Sequence, residues 1–334
     1  MTPLIADFVL IFARLADIIY VLSCWNILAG YSFARSVYLT CKEDKCTGMS
    51  NVKEIGTGAL SPSNQPQNAP SKECEKFNNS NILEGMTSIS ALIHGIRTGV
   101  NSRNILSVYI DCEKTKSKAR EIGFLRAVSS ELEFGIQLVE RDWIEQMTIG
   151  NTHGGIIAQC TDRPLPSLAD EISNPETFGD PNGFYIMLEG MEDPYNFGYA
   201  LRSLYAAGVT GVILSERNWM GAAGVVARAS AGASEQLPMA VCSPETAVDL
   251  MKNSGYRIVC AGIRDSVSLY EADMKRPLLL IVGGEKRGIS RAVLEKANQI
   301  VRIDYGREFK GSLSAASAAA VLAFEVFRQN STKS

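Results

Sequence analysis

The chain has 334 residues, of which 46% are hydrophobic and 21% are charged, and its formal net charge at pH 7 is −3. This length allows two domains with a sizeable core, and the composition is that of an ordinary globular protein. The slightly negative charge excludes binding to nucleic acid through overall charge, so any RNA-binding surface must be a local patch.

Cysteine and histidine usage argues against a metal site. The eight cysteines are scattered along the chain. Cys41 and Cys46 have no matching second pair, and His94 and His153 are the only histidines. We therefore predict no bound metal, reduced thiols and a cytoplasmic protein.

Residues 1–80 begin with an apolar segment and continue into a polar stretch. Arg14 and Asp17 interrupt the apolar segment, and the uninterrupted run from Ile18 to Gly30 is shorter than the roughly 20 residues that a membrane span needs. An interfacial helix, a weak anchor and translated upstream sequence remain open. We favour the last, with Met49 as the natural start, and expect no membrane partner. Residues 56–80 are predicted to be a disordered linker.

Residues 81–160 alternate between strand and helix patterns, which predicts a small α/β domain. Ile89, Leu92 and Ile96 have helical spacing. Strands are predicted at "NILSVYIDC", "GIQLVE" and "HGGIIAQC", and helices at "TKSKAREIGFLRAVSSELEF" and "RDWIEQMT". Residues 161–180 are predicted to be a Pro-rich, acidic linker.

Residues 181–330 form a second α/β series. Strands are predicted at "GFYIMLEG", "TGVILS", "MAVCS", "YRIVCAG", "PLLLIVGG" and "QIVRIDYG". Helices are predicted at "NFGYALRSLYAAG", "AAGVVARASAGASE", "SPETAVDLMKNSG" (capped by Ser243), "SRAVLEKAN" and "SLSAASAAAVLAFEVFRQ". Continuous apolar strands between helices predict a parallel sheet that is covered on both faces.

Three segments of the second series carry candidate functional residues. In "EGMEDPYNFGYALRSLYAAG", Asn196 is predicted to cap the helix. Gly198 and Arg202 are four residues apart and share a helix face, where the glycine allows another backbone to approach. Taken alone, Arg202 is more simply explained as a solvated arginine on a helix surface.

The second segment, "LLLIVGGEKRGIS", is an apolar strand that ends in Gly283 and Gly284. Such a turn lies at the carboxyl edge of the sheet, where α/β folds bind ligands. Ile289 stands where a phosphate loop has lysine, and Glu285 would repel a triphosphate. A plain strand-to-helix turn is the simpler alternative.

The third segment is "IDYGREFKGSLSAASAAAVLAFE". Ser312 is placed at the predicted start of an alanine-rich helix, where a hydroxyl and free N–H groups can meet a ligand. For a lone serine, a helix cap is the simpler interpretation.

In this order the three segments resemble the motifs of the SpoU/TrmH family of RNA ribose 2′-O-methyltransferases. The matching residues are Asn196, Gly198 and Arg202, then Gly283, Glu285 and Gly288, then Ile303, Ser312, Leu313 and Glu325. The segment "ARASAGASEQLPM" is also similar to the family. The likeness spans residues 183–329, and residues 81–160 resemble the ribosomal-protein-like RNA-binding domain that precedes it in many members.

The resemblance implies a methyltransferase domain, residues 181–330, whose end is threaded into a trefoil knot. It implies S-adenosylmethionine (AdoMet) as cofactor and a homodimer whose active sites are completed across the interface. The implied cofactor-binding residues are Ala261, Gly283, Gly284, Gly288, Ile303 and Leu313. The implied catalytic residues are Asn196, Arg202, Glu285 and Ser312.

Two positions depart from the third family motif. Ser314 stands in place of an asparagine and Ala316 in place of a serine. These changes leave open a noncatalytic RNA-binding module of the same fold. A nucleotide-dependent enzyme and a base-modifying methyltransferase fit the motifs less well.

Two groups of cations are candidates for contact with RNA phosphates. Residues 286–310 hold seven cations against three acids, a net charge of +4: Lys286, Arg287, Arg291, Lys296, Arg302, Arg307 and Lys310 against Glu295, Asp304 and Glu308. The second group is Arg97, Arg103, Lys114, Lys116 and Lys118. Solvated charged faces are the alternative. Large-subunit ribosomal RNA fits the two-domain layout best, and tRNA remains open.

Overall fold

The computed structural model describes residues 81–150, 152–191, 193–215 and 219–331, with Trp219 described through its backbone alone. The apolar segment and linker predicted for residues 1–80 lie outside this part of the chain. None of the helices in the described ranges combines the length and the apolar character needed to cross a membrane.

The first sheet has four strands in the order β1-β4-β2-β3, with β2 and β3 parallel and the other pairs antiparallel. The strands are β1 (Ile82–Glu84), β2 (Ile105–Asp111), β3 (Gly135–Val139) and β4 (Ile156–Cys160), and the helices are α1 (Gly85–Arg97), α2 (Ala119–Ser129) and α3 (Arg141–Met147). The predicted helical spacing is confirmed, because Ile89 and Leu92 are fully buried and Ile96 packs against the same apolar cluster.

The second sheet has seven strands in the order β7-β6-β5-β10-β8-β11-β9, and every pairing is parallel. The strands are β5 (Phe184–Glu189), β6 (Gly211–Leu214), β7 (Met239–Val241), β8 (Arg257–Ala261), β9 (Val267–Ser268), β10 (Leu278–Gly283) and β11 (Gln299–Arg302). The helices are α4 (Leu168–Glu171), α5 (Pro194–Ala206), α6 (Ala223–Ala229), α7 (Pro244–Asn253), α8 (Arg291–Lys296) and α9 (Ala315–Asn330).

The two faces of the second sheet carry separate apolar clusters, which confirms the predicted parallel sheet with both faces covered. Phe184 and Ile186 of β5 belong to one cluster, and Tyr185 and Met187 belong to the other. This division follows from strand geometry, because successive side chains point to opposite faces. Ser243 caps α7 by accepting from the N–H of Thr246, as predicted.

Several elements differ from the sequence prediction. The segment "AAGVVARASAGASE" is not one helix: α6 ends at Ala229, and Ala231 and Gly232 adopt left-handed φ angles of 52° and 84° before a 3-10 turn at Ala233–Gln236. Two consecutive left-handed residues cannot continue a right-handed helix. Within residues 161–180, Leu168 of α4 and Phe178 are fully buried against the second sheet.

A buried charge network joins the first sheet to the 3-10 turn of the second. Arg103 Nη1 lies 3.5 Å from Glu235 Oε2, and both side chains are fully buried. Asn101 Nδ2 donates to the same carboxylate at 2.8 Å, and Arg103 Nε donates to the carbonyl of Thr161. The prediction that Arg103 contacts RNA is therefore wrong, because its guanidinium is used inside the protein to neutralise Glu235.

We predict that Glu235→Ala lowers the free energy of unfolding by about 3–5 kcal/mol, because it removes the buried carboxylate that Arg103 and Asn101 contact. The matched control is Glu145→Ala, which breaks the exposed Arg141–Glu145 pair of α3 and should cost no more than about 0.5 kcal/mol. Urea unfolding of both variants measures the difference. Equal losses in the two variants would contradict the assigned role of the network.

Candidate functional site at the carboxyl edge of the second sheet

Adjacent parallel strands end together at one edge of the second sheet. Gly283 of β10 is in register with Glu189 of β5, and Ala261 of β8 is in register with Val301 of β11. Ile303 follows two residues later. Parallel strands share the direction of their carboxyl ends, so the structure places three of the predicted cofactor residues, Ala261, Gly283 and Ile303, along this edge.

The ends of β5 and β10 approach each other more closely than side chains would allow. Gly284 N donates to the carbonyl of Glu189 at 2.5 Å, and a Cβ on Gly284 would overlap the carbonyl of Gly190. A Cβ on Gly283 would overlap the backbone of Gly288. Gly288 closes the turn with its N–H on the Gly284 carbonyl at 2.9 Å and with a left-handed φ of 62°. The turn therefore requires glycine.

A cavity of about 90 Å³ opens where these two strands end. Its lining residues are Gly190, Met191, Asp193, Asn196, Gly284, Glu285, Lys286 and Ala315. The cavity combines residues from all three sequence segments. Among the predicted site residues it brings together Asn196, Gly284 and Glu285.

Helix α5 begins at this cavity. Its N-cap is Asp193, whose carboxylate accepts from the N–H groups of Tyr195 at 3.3 Å and Asn196 at 3.1 Å. The prediction that Asn196 caps the helix is wrong. Asp193 precedes the proline at the first helical position and already occupies the cap, so the side chain of Asn196 lines the cavity instead.

Gly198 and Arg202 lie further along α5. Gly198 is buried where α5 crosses α6, and a Cβ there would overlap the methyl of Ala229 and press on the carbonyl of Val226. The predicted close backbone approach is thus observed. Arg202 is exposed and does not line the cavity.

The third segment caps α9 through a different serine from the one predicted. Ser314 is the N-cap and accepts from Ser317 N at 3.2 Å, whereas Ser312 lies two residues earlier and is exposed. The prediction that α9 starts at Ser312 is therefore wrong. The two departures from the family motif have structural roles, because Ser314 caps the helix and Ala316 packs against the apolar cluster.

Leu313 is held in place from outside the helix. Its N–H donates to Tyr305 Oη at 3.0 Å, which ties the segment before α9 back to the end of β11. Among the described residues, no side chain forms a hydrogen bond with Ser312 that would support its predicted role.

Sequence reasoning missed Glu189, the last residue of β5. Its Oε2 is buried and has no hydrogen-bond partner among the described residues. Burial, and next the charge of Glu245, raise the pKa of this carboxyl above its usual value, while the N–H of Ser290 opposes the shift. The available signal was an acid at the end of the otherwise apolar strand "FYIMLE".

Three cations of residues 286–310 are paired with acids. Arg291 bonds Glu295 at 2.7 Å, Lys296 bonds Asp249 at 2.6 Å and Arg302 bonds Asp304 at 2.8 Å. Exposed side chains of the same stretch without a salt bridge in the described ranges are Arg287, Arg307 and Lys310. The net charge of this stretch is therefore partly neutralised on the surface.

We predict that Glu189→Gln changes the pH dependence of stability. Because folding raises the pKa of Glu189, the folded state binds its proton more tightly, and stability falls as pH rises from the unfolded pKa through the folded pKa. Glutamine does not titrate and removes this loss. The melting temperature of the variant minus that of the wild type should therefore be more positive at pH 7 than at pH 4. The exposed Glu176→Gln should show no such difference. A pH-independent effect of Glu189→Gln would contradict the prediction.

Comparison with known proteins agrees with this geometry. Residues 183–324 match the family model described as the SpoU rRNA Methylase family. A relative from Yersinia pestis, the 23S rRNA (guanosine-2′-O-)-methyltransferase RlmB, is 28% identical over 265 residues, which cover 76% of this chain and 99% of that protein.

Two solved structures share the fold. An AdoMet-bound rRNA methyltransferase from Sinorhizobium meliloti aligns with a TM-score of 0.61 and 21% identity, covering 75% of this chain and 88% of that one. The SpoU methyltransferase AviRb from Streptomyces viridochromogenes, in complex with AdoMet, aligns with a TM-score of 0.59 and 21% identity, covering 74% and 89%. The part of the chain that gathers the three motifs at one sheet edge, residues 183–324, is thus similar to the SpoU rRNA Methylase family.

Proposed function

We propose that this protein transfers the methyl group of AdoMet to a ribose 2′-hydroxyl of RNA, with large-subunit ribosomal RNA as the substrate class. The observation that carries the proposal is the cavity in which Asn196 and Glu285 meet the glycine turn at Gly284. The Yersinia relative is a 23S rRNA methyltransferase, and the alignment covers 99% of that protein, which supports ribosomal RNA over tRNA.

The residues at the sheet edge fit AdoMet as cofactor. At Gly283 and Gly284 the sheet edge consists of backbone without side chains, and the cavity opens beside Gly284. The buried, unpaired oxygen of Glu189 suits a cationic ligand, and AdoMet carries a sulfonium and an ammonium. Backbone groups at Ala261, Ile303 and Leu313 would complete the binding site. When bound, the cofactor supplies an electrophilic methyl group.

Arg202 is the proposed catalytic residue that acts on the ribose. The hydroxyl must lose a proton and lie in line with the methyl carbon. A guanidinium stays protonated at neutral pH, so Arg202 would orient the hydroxyl and stabilise the developing negative charge rather than act as a base. Ser312 would help to orient the hydroxyl, and Glu285 would order the loop or the arginine.

A homodimer would explain why Arg202 lies outside the cavity of its own chain. Tyr195, Tyr199 and Arg202 form an exposed stripe along α5 at helical spacing. Val321, Phe324 and Phe327 form an exposed apolar stripe on α9, and the two helices pack side by side. A second copy covering both stripes would bring Arg202 to its partner's cofactor.

The proposal includes a trefoil knot in residues 181–330. Residues 262–277 leave β8, form β9 outside β11 and return to β10 in the middle of the sheet. On the way they bond the end of α9: Met274 N donates to Gln329 Oε1 at 2.8 Å, and Arg276 N donates to Asn330 Oδ1 at 3.0 Å. These contacts between the loop and the C-terminal segment support the threaded topology.

Residues 81–160 are proposed to bind the RNA and residues 161–180 to link them to the catalytic part.

The alternative function for the protein is a noncatalytic RNA-binding module, which Ser314 and Ala316 suggested. Both residues have structural explanations, and Asn196, Arg202 and Glu285 are all present, so the enzyme is favoured.

We predict that Arg202→Ala lowers methyl transfer about 100-fold or more while AdoMet binding is retained, because the loss is in transition-state stabilisation. Incubation of the protein with methyl-tritiated AdoMet and unmodified total RNA, followed by digestion, locates label on the 2′-oxygen. Size separation of the RNA then identifies the substrate class. Lys252→Ala, at an exposed cation of helix α7 outside residues 81–160, is the matched control and should leave transfer unchanged. AdoMet binding without any labelled RNA in the wild type would refute the proposed substrate, and no binding would refute the enzyme.

We predict that Phe324→Glu converts the protein to a monomer, because it places a charge in the apolar stripe of α9. Phe124→Glu, at an exposed phenylalanine of α2, is the matched control and should leave the assembly state unchanged. Sedimentation equilibrium measures both. A wild-type protein that sediments as a monomer would refute the homodimer.

A further inference from the structure

A second cavity, of about 320 Å³, lies beside the first sheet. Its lining residues are Glu84, Gly85, Met86, Thr87, Ser88, Lys118, Thr152, His153, Gly154, Ile156, Arg228 and Ala231. A single water needs only roughly 10–15 Å³, so this cavity has room for a larger polar group. None of the three sequence segments contributes to it.

The cavity presents hydrogen-bond donors. The N-terminus of α1 opens into it, and no side chain caps the first turn, whose N–H groups have no partner within a helix. His153 is 94% buried, and its Nδ1 accepts from Gly155 N at 3.0 Å. The ring proton is therefore on Nε2, which has no partner among the described residues. Burial lowers the pKa of His153, which keeps the ring neutral as a donor.

The charges around the cavity leave it open to an anion. Glu84 is paired with Arg228, whose Nη1 lies 2.7 Å from Glu84 Oε2. Glu84 Oε1 also accepts a hydrogen bond from Ile149 N at 2.9 Å. Lys118 pairs with Glu121 at 2.8 Å, and both side chains are partly buried. The other charges acting on His153 are Lys114 and Arg141 against Glu145. Helix N–H groups, a neutral imidazole donor and a lysine are the groups that bind phosphate in proteins.

Arg228 connects the cavity to the catalytic helix. Its Nη2 lies 3.1 Å from Tyr195 Oη, and its guanidinium lies 6.0 Å from the centre of the Tyr195 ring. Tyr195 precedes Asn196, which lines the proposed methyl-transfer cavity. A group bound beside Arg228 would therefore be connected to the first turn of α5 through the contact between Arg228 and Tyr195.

We propose that this cavity binds one phosphodiester of the substrate RNA and so sets the position of the RNA strand relative to α5. This inference rests on the proposed function. A phosphodiester satisfies the donors of α1 and His153 and adds the negative charge that the end of α1 favours. The contact carries position and affinity and no sequence information.

The test is Thr87→Glu. Thr87 is exposed in the first turn of α1, where an acid complements the helix dipole, so the variant should fold at least as stably as wild type. The new carboxylate should repel the phosphate and raise the KM for RNA about tenfold, with kcat and AdoMet binding unchanged. Thr87→Gln, which adds similar bulk without charge, should raise KM less.

The matched control is Thr246→Glu. Thr246 is exposed at the same position of α7, three residues after the cap Ser243. This variant adds the same charge to the chain at another helix start, so the KM for RNA should stay at the wild-type value. Equal KM values for Thr87→Glu and Thr246→Glu would overturn the phosphate site.

A second arm measures salt dependence. Lys118→Gln should reduce the slope of log Kd for RNA against log[salt] by about 0.7–0.9, the value for one phosphate contact. Lys252→Gln, an exposed lysine of α7, should leave the slope unchanged. An unchanged slope and KM in Lys118→Gln, with active wild-type protein, would overturn this inference alone. A wild-type protein that binds no RNA would overturn the proposed function as well.

Discussion

The close approach of Gly284 to Gly190 is the contact on which the candidate site depends. It lets the ends of β5 and β10 meet through backbone atoms, with Gly284 N on the Glu189 carbonyl. Because β5 leads directly into α5 and β10 into the glycine turn, this contact sets Asn196 beside Glu285. A side chain at Gly284 would separate the two segments, so the arrangement of the site depends on the absence of a Cβ atom at this position.

Buried charge plays different roles in different parts of the molecule. Between the two sheets, the buried carboxylate of Glu235 is bonded by Arg103 and Asn101. At the sheet edge, Glu189 keeps one oxygen unpaired among the described residues. A fully satisfied network specifies one arrangement of the parts, whereas an unpaired buried group at a cleft is a candidate for function.

Continuous apolar strands are local patterns, and they predicted the parallel sheet with both faces covered. That Asn196, Gly284 and Glu285 belong to one site was implied by the resemblance to the SpoU/TrmH family. The sequence placed Asn196 and Ser312 at helix caps, where Asp193 and Ser314 stand, because each segment offers several capping residues within four positions. It assigned Arg103 to the surface, since the partner that buries it, Glu235, is far away in sequence. The pairing of Val267 and Ser268 with β11 leaves no periodic signal at all.

The position of β10 in the middle of the second sheet has a consequence for how the chain folds. Strand β8 pairs with β10 and β11, and both are made after it. In a nascent chain that ends at Ala261, β5, β6 and β7 can pair. The apolar β8 cannot pair, because its partner strands have not yet been synthesised. Pairing at such separations is slow, and the exposed strand invites aggregation. Completion of the sheet is thus a late event, which comes only when the last quarter of the chain has been synthesised.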